Sequence, residues 1–455
     1  MKHRSYLIRY VCLVCVIVAA LSFLSCSSVK NDAESPEPML ETDGLSDAPE
    51  TEHNNVVTPQ TPILRFDGAT VRVLCEEDPL GSDLCFSDVS QSEYSRLAHE
   101  RDKTIEQNHD LCISYETSPD IFSLFGRNFT SGDAPHVVYA RGSGGMSELM
   151  LYGYLDDLKG HLNEDTLLSS GISADALRQL SIDGRIYMIT GTPMRSSVSS
   201  TIAVGYNKSL LTDYGYDSDH IDRLVLDGAW THDAMHSIAG VCSGTTIRMS
   251  EDSLYYLWQG MGATTVDKLP GDIPAISVYT PRNLFFFEHV HDYYSSAENG
   301  SDDNTLFVID TIERIGEKLG SDASLAPLPT YSERSEYTCV MDFSGTYFTA
   351  MPNRVEDSRL AGCYLGALFS ESVDSVYSET IREYSYGNEI MLDVILRSRY
   401  FDLLDMYGIG HIVRSAFAPS SPTSDFDELL CERAEFAERA LEITLGQTVN
   451  NKQNR

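Results

Sequence analysis

From Gly68 the chain reads GATVRVLC, with Val71, Val73 and Cys75 alternating with Arg72 and β-branched residues dominant. A period of two on such residues predicts a strand. The period then changes. Tyr94, Leu97 and Ala98 open a helical stripe that continues through Arg101 and Ile105, and Leu111 to Tyr115 returns to strand. A helix is expected around IFSLFGRNFTSG, and the apolar run His136 to Tyr139 predicts a strand leading into the glycine-rich loop ARGSGG. Strand and helix alternate, the pattern of a mostly parallel sheet covered on both faces.

The alternation continues beyond this. Leu177 and Leu180 close a helix, Asp183-Gly184 makes a turn, and Arg185 to Thr190 and Thr201 to Tyr206 read as strands. Thr231 is placed to cap a helix whose first turn holds Asp233 and whose buried stripe is Ala234, Met235, Ile238 and Ala239. EDSLYYLWQGMGA and TLFVIDTIERIGEKLG are expected to be helices, the second with Phe307, Ile309, Ile312, Ile315 and Leu319 as its apolar face. Pro327 and Pro329 break structure and mark a return between lobes. YTCVMDFSGTYFTAMPN reads as strand, turn and strand, and GNEIMLDVILRSRYFDLLDMYG as one more helix.

The N-terminus follows another rule. Lys2, Arg4 and Arg9 precede the apolar run Tyr10 to Leu24, which is short for a bilayer span and suits an export signal. Phe23-Leu24-Ser25-Cys26 resembles a bacterial lipobox, with Leu24 one place late; the resemblance implies cleavage before Cys26 and a lipid on its thiol. A plain signal or an uncleaved anchor is the alternative. Residues 27 to 62 hold five prolines, eight acids, one lysine and no aromatic residue. Such a segment cannot offset its ordering entropy and is expected to be a disordered tether.

Charge narrows the partners. The formal net charge is -35, which argues against nucleic acid and anionic headgroups. After Cys26 the cysteines are Cys75, Cys85, Cys112, Cys242, Cys339, Cys363 and Cys431, an odd number with no CxxC spacing, so thiolate zinc is not expected. His289 and His291 lie two apart on an expected helix and do not face one another. No metal and no cofactor is expected. No GxSxG, HExxH or nucleotide fingerprint occurs, so no enzyme is expected.

Several strings carry a resemblance in their order. GRIYMITG, AVGYNKSLL and LDGAWTHDAMHSIAG, with Tyr206-Asn207-Lys208 and Trp230-Thr231, resemble the middle of family 1 extracellular solute-binding proteins of ABC importers. APLPTYSE, the stretch after AMPN, and GNEIMLDV with Met391-Leu392-Asp393 resemble its later segments, over about Gly68 to Ala437. An Arg-Asp pair often precedes the last signature, where Ser385 to Asn388 here reads Ser-Tyr-Gly-Asn. The resemblance implies an α/β protein of the periplasmic-binding type II kind, with two lobes joined by a hinge and a ligand cleft between them. The expected division is a leader over 1–25, a lipidated tether over 26–66, lobe 1 over 67–195, lobe 2 over 196–325 and returning segments over 326–455. It further implies a monomer, lipid-anchored on the extracytoplasmic face of the cell membrane. Such a protein would capture a small solute, with a sugar or oligosaccharide favoured, and pass it to an ABC permease. Sensing or adhesion on the same fold, or a secreted glycan hydrolase, are the alternatives.

The candidate solute contacts are weighed against packing roles. Trp230 offers an indole face for a pyranose or packs between elements, and Trp258 lies on a helix with Tyr255 and Tyr256. Arg141, Ser143 and Gly144 follow a strand, where ligands gather in open sheets. There the loop N–H groups would cradle an oxyanion or a hydroxyl. Tyr206 and Asn207 end another strand, and Asp342 and Ser344 occupy a turn after a third.

Overall fold

The computed structural model describes residues 63–77, 84, 92–168, 171–269, 273–294, 304–417 and 425–453. The expected leader, Cys26, nearly all of the tether, and Cys85 lie outside the described residues. Eight strands form the two larger sheets among them. They are β1 (Ala69–Glu76), β2 (Leu111–Ser118), β3 (Val137–Arg141), β4 (Ile202–Asn207), β5 (Thr246–Met249), β6 (Thr305–Thr311), β7 (Ala323–Ala326) and β8 (Tyr347–Ala350).

The chain forms two α/β lobes, each built on one of these sheets. The first has the order β8-β3-β1-β2, with β1, β2 and β3 parallel and β8 antiparallel to β3. The second has the order β7-β4-β6-β5. There β6 runs parallel to β5, and β4 runs antiparallel to both β6 and β7. Val137 to Ala140 of β3 are all buried, as are Thr305 to Asp310 of β6. Strands covered on both faces lose the alternation of period two.

That loss explains one correction. TLFVIDTIERIGEKLG is not a continuous helix: its first seven residues are β6, and the helix is Ile312–Leu319. Phe307 and Ile309 belong to a doubly buried strand, and the helical stripe begins only at Ile312. A second correction lies in GNEIMLDVILRSRYFDLLDMYG. The helix Glu389–Arg397 stops, Arg399–Tyr400 pairs in parallel with Cys339–Val340, and a short helix Leu403–Met406 follows. Asp402 starts it by accepting the Leu404 N–H at 2.9 Å. Between Arg185 and Thr190 only Arg185–Ile186 is strand, paired with Ser181–Ile182 in a hairpin.

Other local signals are met. Ser92 and Ser95 form a capping box at the start of the helix Glu93–His109. Thr231 accepts the Ala234 N–H at 3.2 Å at the start of the helix His232–Val241. Cys112, Cys242, Cys339, Cys363 and Cys431 carry free thiols. Among the described residues no helix is long and apolar enough to cross a membrane.

The chain passes from the first sheet to the second through residues 195–201 and returns through 327–346. These crossings are tied together. The Asp342 N–H donates to Ser200 O at 3.0 Å, and Thr201 bridges to Met341. The buried Arg399 donates to Leu396 O at 2.9 Å, to Ser197 O at 2.8 Å, and to Gly171 O. A guanidinium buried on carbonyl oxygens fixes several backbone segments at one point.

His232 gives the fold a pH dependence. Its ring is buried beside Tyr293 and Tyr294, with Nδ1 2.8 Å from the Tyr294 hydroxyl, and burial pushes its pKa down to about 3. The unfolded ring protonates near pH 6.5 while the folded ring stays neutral, so this stability is present above pH 6.5 and lost as pH falls toward 3. The slope is at most about 1.4 kcal/mol per pH unit. Melting His232→Asn beside the parent between pH 7 and 5 checks this: the parent should lose more stability than the variant, and parallel curves would contradict it.

Candidate functional site

Strand direction decides what meets at the crossings. β3 ends at Arg141, and β8 begins at Tyr347, its antiparallel partner. In the other lobe β6 ends at Thr311, paired with Ile202 at the start of β4. These ends face one cavity of about 360 Å³. Arg141 and Tyr347 line it from the first lobe, and Thr311, Glu313 and Arg314 from the second. The crossings supply Arg195, Ser196, Ser199, Ser200, Asp342, Ser344 and Gly345, and Tyr384 closes one side. In open α/β sheets ligands gather at the carboxyl ends of strands, and here those ends come from both sheets.

Each lining group has a local cause. Thr311 caps the helix Ile312–Leu319 by accepting the Arg314 N–H at 3.4 Å, so Glu313 and Arg314 occupy its first turn. Asp342 holds its turn by accepting from the Ser344 N–H at 3.0 Å and the Ser344 hydroxyl at 2.6 Å. Gly345 is required by close approach, since a Cβ there would lie 2.9 Å from Ser200 Oγ and 3.0 Å from Asp342 Oδ2. The Ser196 hydroxyl accepts the Tyr347 N–H at 3.0 Å, joining a crossing to β8.

The arginines are held by acids and aromatic faces. Arg141 lies 3.5 Å from Glu76 Oε1 and over the Tyr347 ring, which stacks on Tyr139 at 4.7 Å. Arg195 donates to Glu383 and to the Tyr384 hydroxyl, each at 2.8 Å, over the rings of Tyr94 and Tyr384. Arg314 lies 3.7 Å from Asp310. Planar forks fixed in this way are preorganised donors for carboxylate, phosphate or vicinal hydroxyl oxygens.

Three of the residues singled out from sequence, Arg141, Asp342 and Ser344, are brought together here; the others are placed elsewhere. Trp230 is fully buried, donates its indole N–H to Pro327 O at 2.8 Å and packs on Phe307, so it offers no face to a solute. Trp258 is also fully buried, with its N–H on Asn283 O at 2.9 Å. Tyr206 and Asn207 end β4, but β4 is antiparallel, so they lie at the far end of the second sheet. Tyr206 donates to Asp222 at 2.9 Å, and Asn207 caps the next helix by accepting the Leu210 N–H at 2.9 Å.

Ser143 and Gly144 do not line the cavity. The N–H groups of Gly142 and Ser143 donate instead to Thr346 O at 2.9 Å and Phe343 O at 3.0 Å. These two bonds dock the glycine loop on the 342–346 turn. Gly142 is needed for this approach, because a Cβ there would run into the Phe343 ring.

Among the lining residues, sequence reasoning missed Arg195, Ser196, Ser199 and Ser200 of RSSVSST, Thr311, Glu313, Arg314, Tyr347 and Tyr384. The serine run was the available signal. The groups at Thr311 were hidden by reading β6 as helix. Among the described residues no cluster of His, Cys, Asp and Glu is arranged to hold a metal.

A larger cavity of about 580 Å³ lies beyond the opposite end of β3 and β8, where Leu155 bridges Pro352. Its polar groups serve the local fold. Asp157 accepts from Lys159 N–H and Ile186 N–H, each at 3.1 Å, and Asn353 donates to Gly153 O at 2.6 Å. Of these two cavities the smaller is the candidate site, because it gathers strand ends from both sheets.

No protein-family model matches the chain, and no curated protein matches it. Solved structures match across most of its length. A cyclic alpha-maltosyl-1,6-maltose binding protein from Arthrobacter globiformis is 15% identical, with a TM-score of 0.57 over 83% of this chain and 99% of that one. UgpB from Mycobacterium tuberculosis, in complex with glycerophosphocholine, is 13% identical, with a TM-score of 0.54 over 83% and 99%. An extracellular solute-binding protein family 1 structure from Alicyclobacillus acidocaldarius is 12% identical, with a TM-score of 0.52 over 83% and 99%. The fold is therefore that of extracellular solute-binding proteins, the type II binding-protein arrangement of two α/β lobes.

Proposed function

We propose that this chain is an extracellular solute-binding protein that captures a hydroxylated solute, a sugar or sugar derivative, and presents it to an ABC permease. The observation that carries the reading is the cavity where strand ends and crossings of both lobes meet, lined by Arg, Ser, Thr, Asp, Glu and Tyr side chains. Hydroxyls of a solute need both donors and acceptors, and this lining supplies both. The structural neighbours include a cyclic alpha-maltosyl-1,6-maltose binding protein and UgpB in complex with glycerophosphocholine. Capture is physical binding. A solute that touches both lobes favours the closed form by its differential affinity for it. Cys26, lipidated and followed by the tether, would hold the domain at the extracytoplasmic face of the membrane as a monomer.

Thermal melting against a panel of mono- and oligosaccharides and glycerophosphodiesters tests the reading. A binder present at a hundred times its Kd should add about 2.7 kcal/mol of stability. Ser200→Trp, which crowds the cavity from a buried crossing, should abolish that gain, and Arg314→Trp, at a side chain 62% accessible that lines the same cavity, should abolish it while keeping the parent's cooperative melt. A gain that survives Ser200→Trp would place the solute elsewhere.

A further inference from the structure

Resting on that reading of the cleft, we infer that its solute carries an anionic group, a carboxylate or a phosphate, beside its hydroxyls. Three guanidiniums line the cavity, Arg141 from the first lobe, Arg195 from a crossing and Arg314 from the second lobe, against two carboxylates, Glu313 and Asp342. The chain as a whole carries 68 acids against 33 bases. The wall nonetheless turns guanidiniums toward the solute, while the acids paired with them, Glu76, Glu383 and Asp310, lie outside the lining and offset their charge over the site as a whole.

The carboxylates in the wall are not equivalent to the guanidiniums. Asp342 already accepts two hydrogen bonds from Ser344. The acids that hold the arginines, Glu76, Glu383 and Asp310, are not part of the lining, so they fix the forks without occupying the space in front of them. The N-terminal turn of the eight-residue helix Ile312–Leu319, which carries Arg314, also faces the cavity through Thr311, Glu313 and Arg314. Its dipole adds positive potential at the same wall.

Apolar recognition is weak by comparison. Both tryptophans are in the core, and the aromatic residues in the lining are Tyr347 and Tyr384, whose faces lie under Arg141 and Arg195. A neutral sugar held mainly by stacking would find no open indole here. A sugar acid or sugar phosphate would find charge-assisted donors from both lobes, so its anionic group would itself draw the lobes together.

Isothermal titration calorimetry of the full chain with glucuronate, glucose 6-phosphate and glucose tests this. At least one anionic probe should bind about tenfold or more tightly than glucose, as a charge-assisted hydrogen bond implies. The preference for carboxylate or phosphate then tells the two anion classes apart. Its affinity should fall as NaCl is raised, and should fall about fivefold or more in Arg314→Gln and in Arg141→Gln, the size of one such bond. Arg314 is largely exposed, with a side chain 62% accessible, so its variant should melt like the parent. Glucose binding as tightly as both anions, or anion affinity unchanged in both variants, overturns the inference. Binding of glucose or another neutral sugar in the cleft with no anion bound would reject the anionic class and leave the cleft reading standing. If neither the anions nor the neutral panel bind, both fall.

Discussion

Trp230→Ala should cost about 3–5 kcal/mol of folding stability, the usual range for removing a buried aromatic side chain. The indole is fully buried, packs on Phe307 and satisfies Pro327 O at the point where the chain leaves β7 for the return crossing. Its loss opens a cavity and strips a buried carbonyl of its donor, and these effects add. Total stabilities of domains are about 5–15 kcal/mol, so such a variant would sit near the edge of folding. Trp230→Phe keeps most of the packing and separates the two roles the residue was weighed for. Chemical denaturation should show a moderate loss in Trp230→Phe, and calorimetry should show solute affinity within about twofold of the parent, since no contact worth even 0.5 kcal/mol is removed from the cleft. A large affinity loss in a well-folded Trp230→Phe protein would make the indole a solute platform after all.

Asp402→Ala should be comparably damaging for an electrostatic reason. Asp402 is fully buried and accepts from the Tyr255 hydroxyl, from Gln259 Nε2 at 3.1 Å, from Thr265 Oγ1 at 2.6 Å and from the Leu404 N–H at 2.9 Å. One carboxylate thus joins the helix Ser253–Gly260, the segment after it and the start of the helix Leu403–Met406. Removing it leaves three side-chain donors in the interior without their acceptor. Each such group costs about 1–3 kcal/mol, and with partial relaxation the expected loss is about 3–5 kcal/mol. Asp402→Asn retains one acceptor oxygen and should lose less. Equal denaturation midpoints for Asp402→Ala and the parent would show that water replaces the carboxylate in this network.

The fold was readable where local and global signals agreed. β1, β2 and β4 announce themselves by β-branched residues, and Thr231 marks its helix by side-chain chemistry that is local. β6 was not readable as a strand, because burial on both faces erases alternation and the true helix follows without a break. The site was legible only in part, and the reason is directional. Arg141, Asp342 and Ser344 line the candidate cavity because they lie at or after strand ends that point to it. Tyr206 and Asn207 were chosen by the same rule and lie at the far end, because β4 runs against its neighbours, which no local pattern records. Trp230 was attractive as chemistry, but residue type alone does not reveal burial. Arg195 and Arg314 become neighbours of one cavity only through the crossings, and their sequence context is unremarkable.

The central claim is that a solute seated between Arg141 and Arg314 draws two lobes together. Small-angle X-ray scattering of the full chain, with and without the tightest-binding member of the sugar panel at saturation, tests it most directly. The account predicts a smaller radius of gyration with the sugar and no change in Ser200→Trp under the same conditions. A saturating, calorimetrically verified ligand that leaves the radius of gyration of the parent unchanged would contradict it.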